Sequence, residues 1–90
     1  ASLELEAVDL VSLVRDTIQG LRLIAARKNI NIDFEIGDGV YIPPVLGDYI
    51  RLKQLLIIFV DNAIKYSPEH TCITISMRWG EYVYIIVRDQ

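Results

Sequence analysis

GDYIRLKQLLIIFVDNAIKYSP, Gly47 to Pro68, is the stretch whose reading decides the fold. Asp48 is suited to cap a helix, because its carboxylate can accept from the free N–H groups of a first turn. Ser67-Pro68 favours a turn and stops the helix near Tyr66. At about 100° per residue, Arg51, Gln54, Asp61, Asn62 and Lys65 fall into one narrow polar arc, with Lys53 apart. Leu52, Leu56, Phe59, Val60, Ala63 and Ile64 spread over the other side and are expected to face a core. Ile58 breaks the pattern, lying inside the polar arc between Gln54 and Asn62.

Upstream, Ser2 to Glu6 alternates and reads as a short edge strand. Asp9 caps a helix expected from Leu10 to Lys28, with Leu10, Leu13, Val14, Ile18, Leu21 and Ala25 at core spacing and Asn29 as its stop. Ile30, Ile32, Phe34 and Ile36 alternate with Asn31, Asp33 and Glu35, the pattern of a half-buried strand. Gly37-Asp38-Gly39 is a turn, and Val40 to Ile42 a brief strand that Pro43-Pro44 keeps out of a sheet centre. Downstream, Thr71 to Trp79 places Thr71, Ile73, Ile75, Met77 and Trp79 on one face. After Gly80-Glu81, Tyr82 to Arg88 returns with Val83, Ile85 and Val87 on one side, making a β-hairpin. Two helices on one face of a mixed sheet, an α+β two-layer sandwich, is the economical arrangement.

The chain has 90 residues, enough for one small domain, with 52% hydrophobic and 23% charged residues. That is apolar for a free-standing small domain and points to an uncovered face or a missing piece. A net charge of −3 gives no bulk electrostatic case for nucleic acid or an anionic membrane. The apolar run Leu55 to Val60 is far short of the roughly 20 residues a membrane span needs, so no direct insertion is expected. Cys72 is the single cysteine, which excludes an internal disulfide, and no Cys/His cluster points to zinc.

Asn62, Lys65 and Tyr66 stand at i, i+3 and i+4 on one helix edge. An amide can bond a phosphate or metal, an amine can neutralise a phosphate, and a phenol can pack on or hydrogen-bond a ligand. With Arg51, Gln54 and the tail Asp61-Asn62-Ala63-Ile64-Lys65-Tyr66-Ser67-Pro68-Glu69, the stretch resembles the N box of the ATP-binding, catalytic domain of bacterial sensor histidine kinases. Gyrase, MutL and chaperone-type relatives usually carry a Glu in this helix and lack the KYS tail; this helix has no Glu. Leu5 to Ala26 is similar to the family's first strand and helix. Val87-Arg88-Asp89-Gln90 is similar to the approach to its first glycine box.

The resemblance implies the family's two-layer sandwich. It also implies ATP and Mg2+ as cofactors of the complete domain, with Asn62, Lys65, Tyr66 and Asp89 as ATP-binding residues. Asp89 corresponds to the aspartate that accepts from the adenine amino group, and Asn62 is also a candidate for the metal's shell. The family's second metal-binding Asn, four residues before Asn62, is replaced by Ile58, which has no donor atoms. Three readings of this stay open: magnesium held through Asn62, water or Asp61; a metal-independent or weak parent; or a repacked site. The implied partners are a dimerisation domain carrying the phospho-accepting histidine and a response regulator. The implied location is cytoplasmic, with the parent's membrane anchoring left open. Residues 1–90 read as a single partial ATP-binding domain, the glycine boxes and lid lying beyond Gln90. By itself it is expected to bind no cofactor, to be inactive and to self-associate. The alternative is a non-catalytic, degenerate ATPase-like interaction module, which Ile58 favours.

Plainer readings compete at single residues. Asn62 and Lys65 could be solvated helix residues, Tyr66 a partly buried helix end, and Asp89 a frayed chain end. His70 lacks the context of a phospho-acceptor and reads as a loop residue. Trp79, Tyr82 and Tyr84 read as sheet packing, and Cys72 as a small strand residue.

Overall fold

Both helices begin on an aspartate. In the structure, a computed structural model describing residues 2–89, Asp9 accepts from the N–H groups of Val11 (3.1 Å) and Ser12 (3.2 Å). Asp48 accepts from Arg51 N–H at 3.2 Å. Each carboxylate thus satisfies donors that have no partner inside the helix. The helices are α1, Leu10–Ala26, and α2, Tyr49–Tyr66. Beyond Ala26, Asn29 adopts φ 56°, its N–H bonds Ala26 O (2.9 Å), and Ile30 N–H reaches back to Ala25 O (3.0 Å). This left-handed closure ends α1 two residues short of the expected Lys28, with Asn29 as the stop.

The three-stranded sheet has the order β2 (Asn31–Glu35), β4 (Cys72–Trp79), β5 (Val83–Asp89). β2 and β4 are parallel, from Asn31 opposite Cys72 to Glu35 opposite Ser76, with α2 lying in the chain between them. β4 and β5 form the antiparallel hairpin, from Ile73 opposite Asp89 to Trp79 opposite Val83. The core joins one face of this sheet to both helices. All six expected positions of α1 are buried, as are Leu56, Val60 and Ile64 of α2, Ile32 of β2, and Ile73, Ile75 and Met77 of β4. At 18 Å in its shortest dimension, the molecule has the thickness of one helix layer on one sheet layer.

Four expectations are corrected. The first strand is β1, Glu6–Val8, rather than Ser2 to Glu6; Leu3 and Leu5 are exposed. Its antiparallel partner is β3, Val45–Gly47, and Val40 to Ile42 is not a strand. Pro43 and Pro44 have no N–H to give a ladder, and the pairing begins only after them, at Val45. Trp79 continues the buried face of β4 in alternation but lies exposed at the hairpin end, beyond the cover of the helices. Phe59 is 56% exposed rather than in the core. The core-facing row of α2 is Leu56, Val60 and Ile64, and Phe59 is turned toward β5, where no further layer covers it.

Gly47 supplies the close approach at the start of α2. A Cβ there would lie 2.9 Å from Leu52 Cδ1, so a larger residue would push Leu52 aside.

Candidate functional site

The carbonyl end of α2 is held by a residue far away in sequence. The Lys28 amine donates to Ile64 O (2.8 Å), Lys65 O (3.1 Å) and Ser67 O (2.8 Å). A cation at a helix C-terminus meets the negative end of the dipole as well as its orphan carbonyls. Next in the chain, Ser67 is extended, as the following Pro68 requires, and is 2% exposed. Its hydroxyl donates to Asp89 Oδ2 at 2.9 Å. The end of α2 is thereby tied to the end of β5.

Between α2 and β5, along most of their length, opens a cleft of about 660 Å³. Its walls are apolar: Leu52, Leu55, Phe59 and Ala63 from α2, and Val83, Ile85 and Val87 from β5. Its polar and aromatic rim is Asn62, Tyr66 and Asp89. An apolar slot with a few convergent polar groups is the usual form of a small-molecule site. Three of the four sequence-derived ATP-site residues therefore line one cleft. Asp89 is not frayed: it is a strand residue, opposite Ile73 and bonded to Ser67. Tyr66 is 82% exposed, so it is not a partly buried helix end.

Lys65 stands apart. It is not among the cleft's lining residues, and its amine pairs with Asp61 Oδ2 at 3.1 Å, one helical turn back. Ile58 is 56% exposed on the outer side of α2. It offers no donor to a cation; Asp61 is paired with Lys65, and Asn62 presents an amide oxygen that could join a metal's shell. Among the described residues no cluster of three His, Cys, Asp or Glu could hold a metal.

The groups whose acidity is clearly shifted lie away from the cleft. Asp48 is held below its usual value by the N–H of Glu4, then by that of Arg51, and Asp9 likewise by the N–H and hydroxyl of Ser12. The Cys72 thiol is pushed up, chiefly by its hydrogen bond to the Asp33 carboxylate at 3.2 Å. His70 is a loop residue with φ 64° whose N–H bonds Lys28 O (3.2 Å). Tyr82 and Tyr84 meet edge to face at 6.5 Å and are both exposed.

Sequence reasoning missed Ser67 and Lys28 as parts of this site. Ser67-Pro68 carried a signal, since the proline dictates the extended backbone that turns the serine inward. Lys28 carried none, because its partners lie on another helix.

A mixed sheet with two helices on one face, and a cleft rimmed by the polar edge of α2, defines a two-layer α/β sandwich with an open site at one side. Residues 47–90 match the family described as histidine kinase-, DNA gyrase B- and HSP90-like ATPase. The adaptive-response sensory kinase SasA of Thermosynechococcus vestitus is 34% identical over 84 residues, covering 91% of this chain and 22% of SasA. The catalytic domain of histidine kinase ThkA superposes with a TM-score of 0.86 at 27% identity, covering 98% of this chain and 60% of that one. ThkA has also been solved in complex with the response regulator protein TrrA (TM-score 0.85, 28% identity, 98% of this chain and 26% of that one). Full-length ShkA in complex with AMPPNP matches at TM-score 0.78 and 27% identity, over 90% of this chain and 17% of that one. The chain belongs to the histidine kinase ATPase-type family. It spans less than a quarter of the curated SasA relative. No helix among the described residues is long and apolar enough to cross a membrane.

Proposed function

We propose that residues 1–90 supply the N-box half of the ATP site in a two-component sensor histidine kinase that transfers the γ-phosphoryl of ATP to a histidine. The observation that carries this is the convergence of Asn62, Tyr66 and Asp89 on one apolar cleft between α2 and β5. Asp89 accepts from the adenine amino group, and the apolar walls take the flat base. Tyr66 packs beside the ribose or phosphates. Asn62 contacts phosphate or the shell of a magnesium ion that water and phosphate otherwise fill. Lys65 gives its charge to the phosphates, exchanging Asp61 for them; both partners are partly solvated, so that exchange costs little.

A magnesium ion held through Asn62, water and the phosphates would supply charge neutralisation for transfer of the γ-phosphoryl from ATP, with ADP as the leaving group, to the histidine nitrogen. Catalysis of this kind is mainly positioning and charge stabilisation, which fits residues that hold rather than react. In complete domains of this kind, glycine loops cradle the phosphates through backbone N–H groups. The acceptor histidine sits on a separate helical domain, and a response regulator takes the phosphoryl group next. The ThkA–TrrA and ShkA–AMPPNP complexes support these assignments by likeness. The domain works on the cytoplasmic side.

The test is autophosphorylation by the parent kinase. Asn62→Ala should lower the rate on the order of 100-fold with the fold intact, and Lys65→Met should lower it less. Unchanged rates in both would refute the assignment.

A second reading is favoured by Ile58 and by its exposed apolar neighbours Leu55 and Phe59 on α2. These would suit a non-catalytic module that docks through this helix. It predicts that the parent neither binds ATP nor loses function on Asn62→Ala.

A further inference from the structure

Ser67 has little freedom left. Pro68 denies it a helical backbone, and it sits at φ −83°, ψ 143°. Its N–H donates to Ala63 O (3.1 Å), its carbonyl accepts from the Lys28 amine (2.8 Å), and its hydroxyl donates to Asp89 Oδ2 (2.9 Å). The residue is buried, so water competes poorly for these bonds. Lys28 is fixed in turn by the Ile64 and Lys65 carbonyls and by the His70 N–H on its own carbonyl (3.2 Å). A continuous line of bonds thus runs from the end of α1, through the end of α2, to a carboxylate on the rim of the cleft.

The chemistry of that carboxylate follows from its partner. A serine hydroxyl has one proton, and here it goes to Oδ2. The bond sets the plane of the carboxylate and leaves its remaining lone pairs as acceptors. An acceptor held in one orientation bonds an exocyclic amine and repels a carbonyl oxygen. Sites built around one such hydrogen bond discriminate strongly, because the wrong ligand leaves a polar group unpaired.

We infer that Ser67, anchored by Lys28, is a positioning residue that sets the base selectivity of the cleft, aligning Asp89 to accept from a 6-amino purine and to refuse a 6-oxo purine. This rests on the nucleotide-site reading above. Neither Ser67 nor Lys28 need touch the nucleotide. Their effect is on the ratio of affinities for two bases, whereas a purely structural role would change stability and leave that ratio alone.

The experiment compares binding of ATP and inosine triphosphate, which has an oxygen in place of the amino group, by the parent kinase. Wild type should prefer ATP, and Asp89→Ala should erase the preference. Ser67→Ala should cut the preference roughly 3- to 10-fold, chiefly by weakening ATP, while Ser67→Thr, which keeps the hydroxyl, retains it. Lys28→Met should shift the ratio in the same direction as Ser67→Ala, and Lys28→Arg should shift it less. Melting temperatures of all variants establish that each is folded at the assay temperature, and Lys28→Met gives an independent reading if Ser67→Ala is not. If Asp89→Ala erases the preference while Ser67→Ala and Lys28→Met keep it, the positioning role is overturned and the site reading stands. If Asp89→Ala itself keeps the wild-type ratio, or wild type has no preference, the site reading fails and takes this inference with it.

Discussion

Asp48 does two jobs at once. It caps α2 through Arg51 N–H and also accepts from Glu4 N–H at 3.0 Å, fastening the N-terminal segment to the helix start. Both bonds are to the ionised carboxylate, so its folded-state acidity lies below the usual 3.8. The cap therefore stabilises the fold in full above that value and loses its effect as pH falls through the folded-state pKa. Asp48→Asn should melt at a lower temperature than wild type near neutral pH, and the gap should close as the pH drops below 3.8. Melting curves of both proteins between acid and neutral pH check this; a gap that widens toward acid would contradict it. At this scale the caps were legible in the sequence, since Asp9 and Asp48 act on N–H groups two or three residues away. The Lys28 clamp was not, because its partners lie on another helix, 36 to 39 residues further along the chain.

Helix α2 separates residues that hold the fold from residues free to serve a site. Leu56, Val60 and Ile64, one turn apart, are buried against the core, whereas Leu55, Ile58, Phe59, Asn62 and Tyr66 are exposed. Periodicity alone identified the core row and the polar arc. It could not place Phe59, because a helical wheel shows which side is apolar but not where the opposing layer ends. Val60→Ala should cost about 1–3 kcal/mol, since the side chain is fully buried and removing it leaves a cavity. Phe59→Ala, at the cleft rim, should cost about 1 kcal/mol or less. Urea unfolding of the two variants tests the assignment, and equal losses would mean that the cleft is closed in solution. Strands followed the same logic. The alternation in β2, β4 and β5 marked their faces, while the short β1–β3 pairing depended on a contact between segments nearly 40 residues apart.

Across the whole molecule, one layer is incompletely covered. Val83, Ile85 and Val87 of β5 face the cleft half-buried, and β5 is an outer strand of its sheet, as is β2. Open edges and apolar faces pair with other chains. The 90-residue chain should therefore associate with itself at about 100 µM in light scattering. A charge placed on the cleft face of β5 would reduce this, so Ile85→Lys should shift the population toward monomer. A clean wild-type monomer would contradict this account of the surface. The fold class and the family were legible because one helix and its tail carry both the packing pattern and the site's polar edge. The linkage of Ser67 to Asp89 was not, since it depends on how the ends of α2 and β5 meet in space. The central claim is that this meeting point forms half of an ATP site, and magnesium-ATP calorimetry tests it most directly, on this chain and on one continued through the glycine boxes. The account predicts tight binding only by the longer chain, with Asp89→Ala and Asn62→Ala each weakening it. Absence of binding by the longer chain, or binding indifferent to both substitutions, would contradict it.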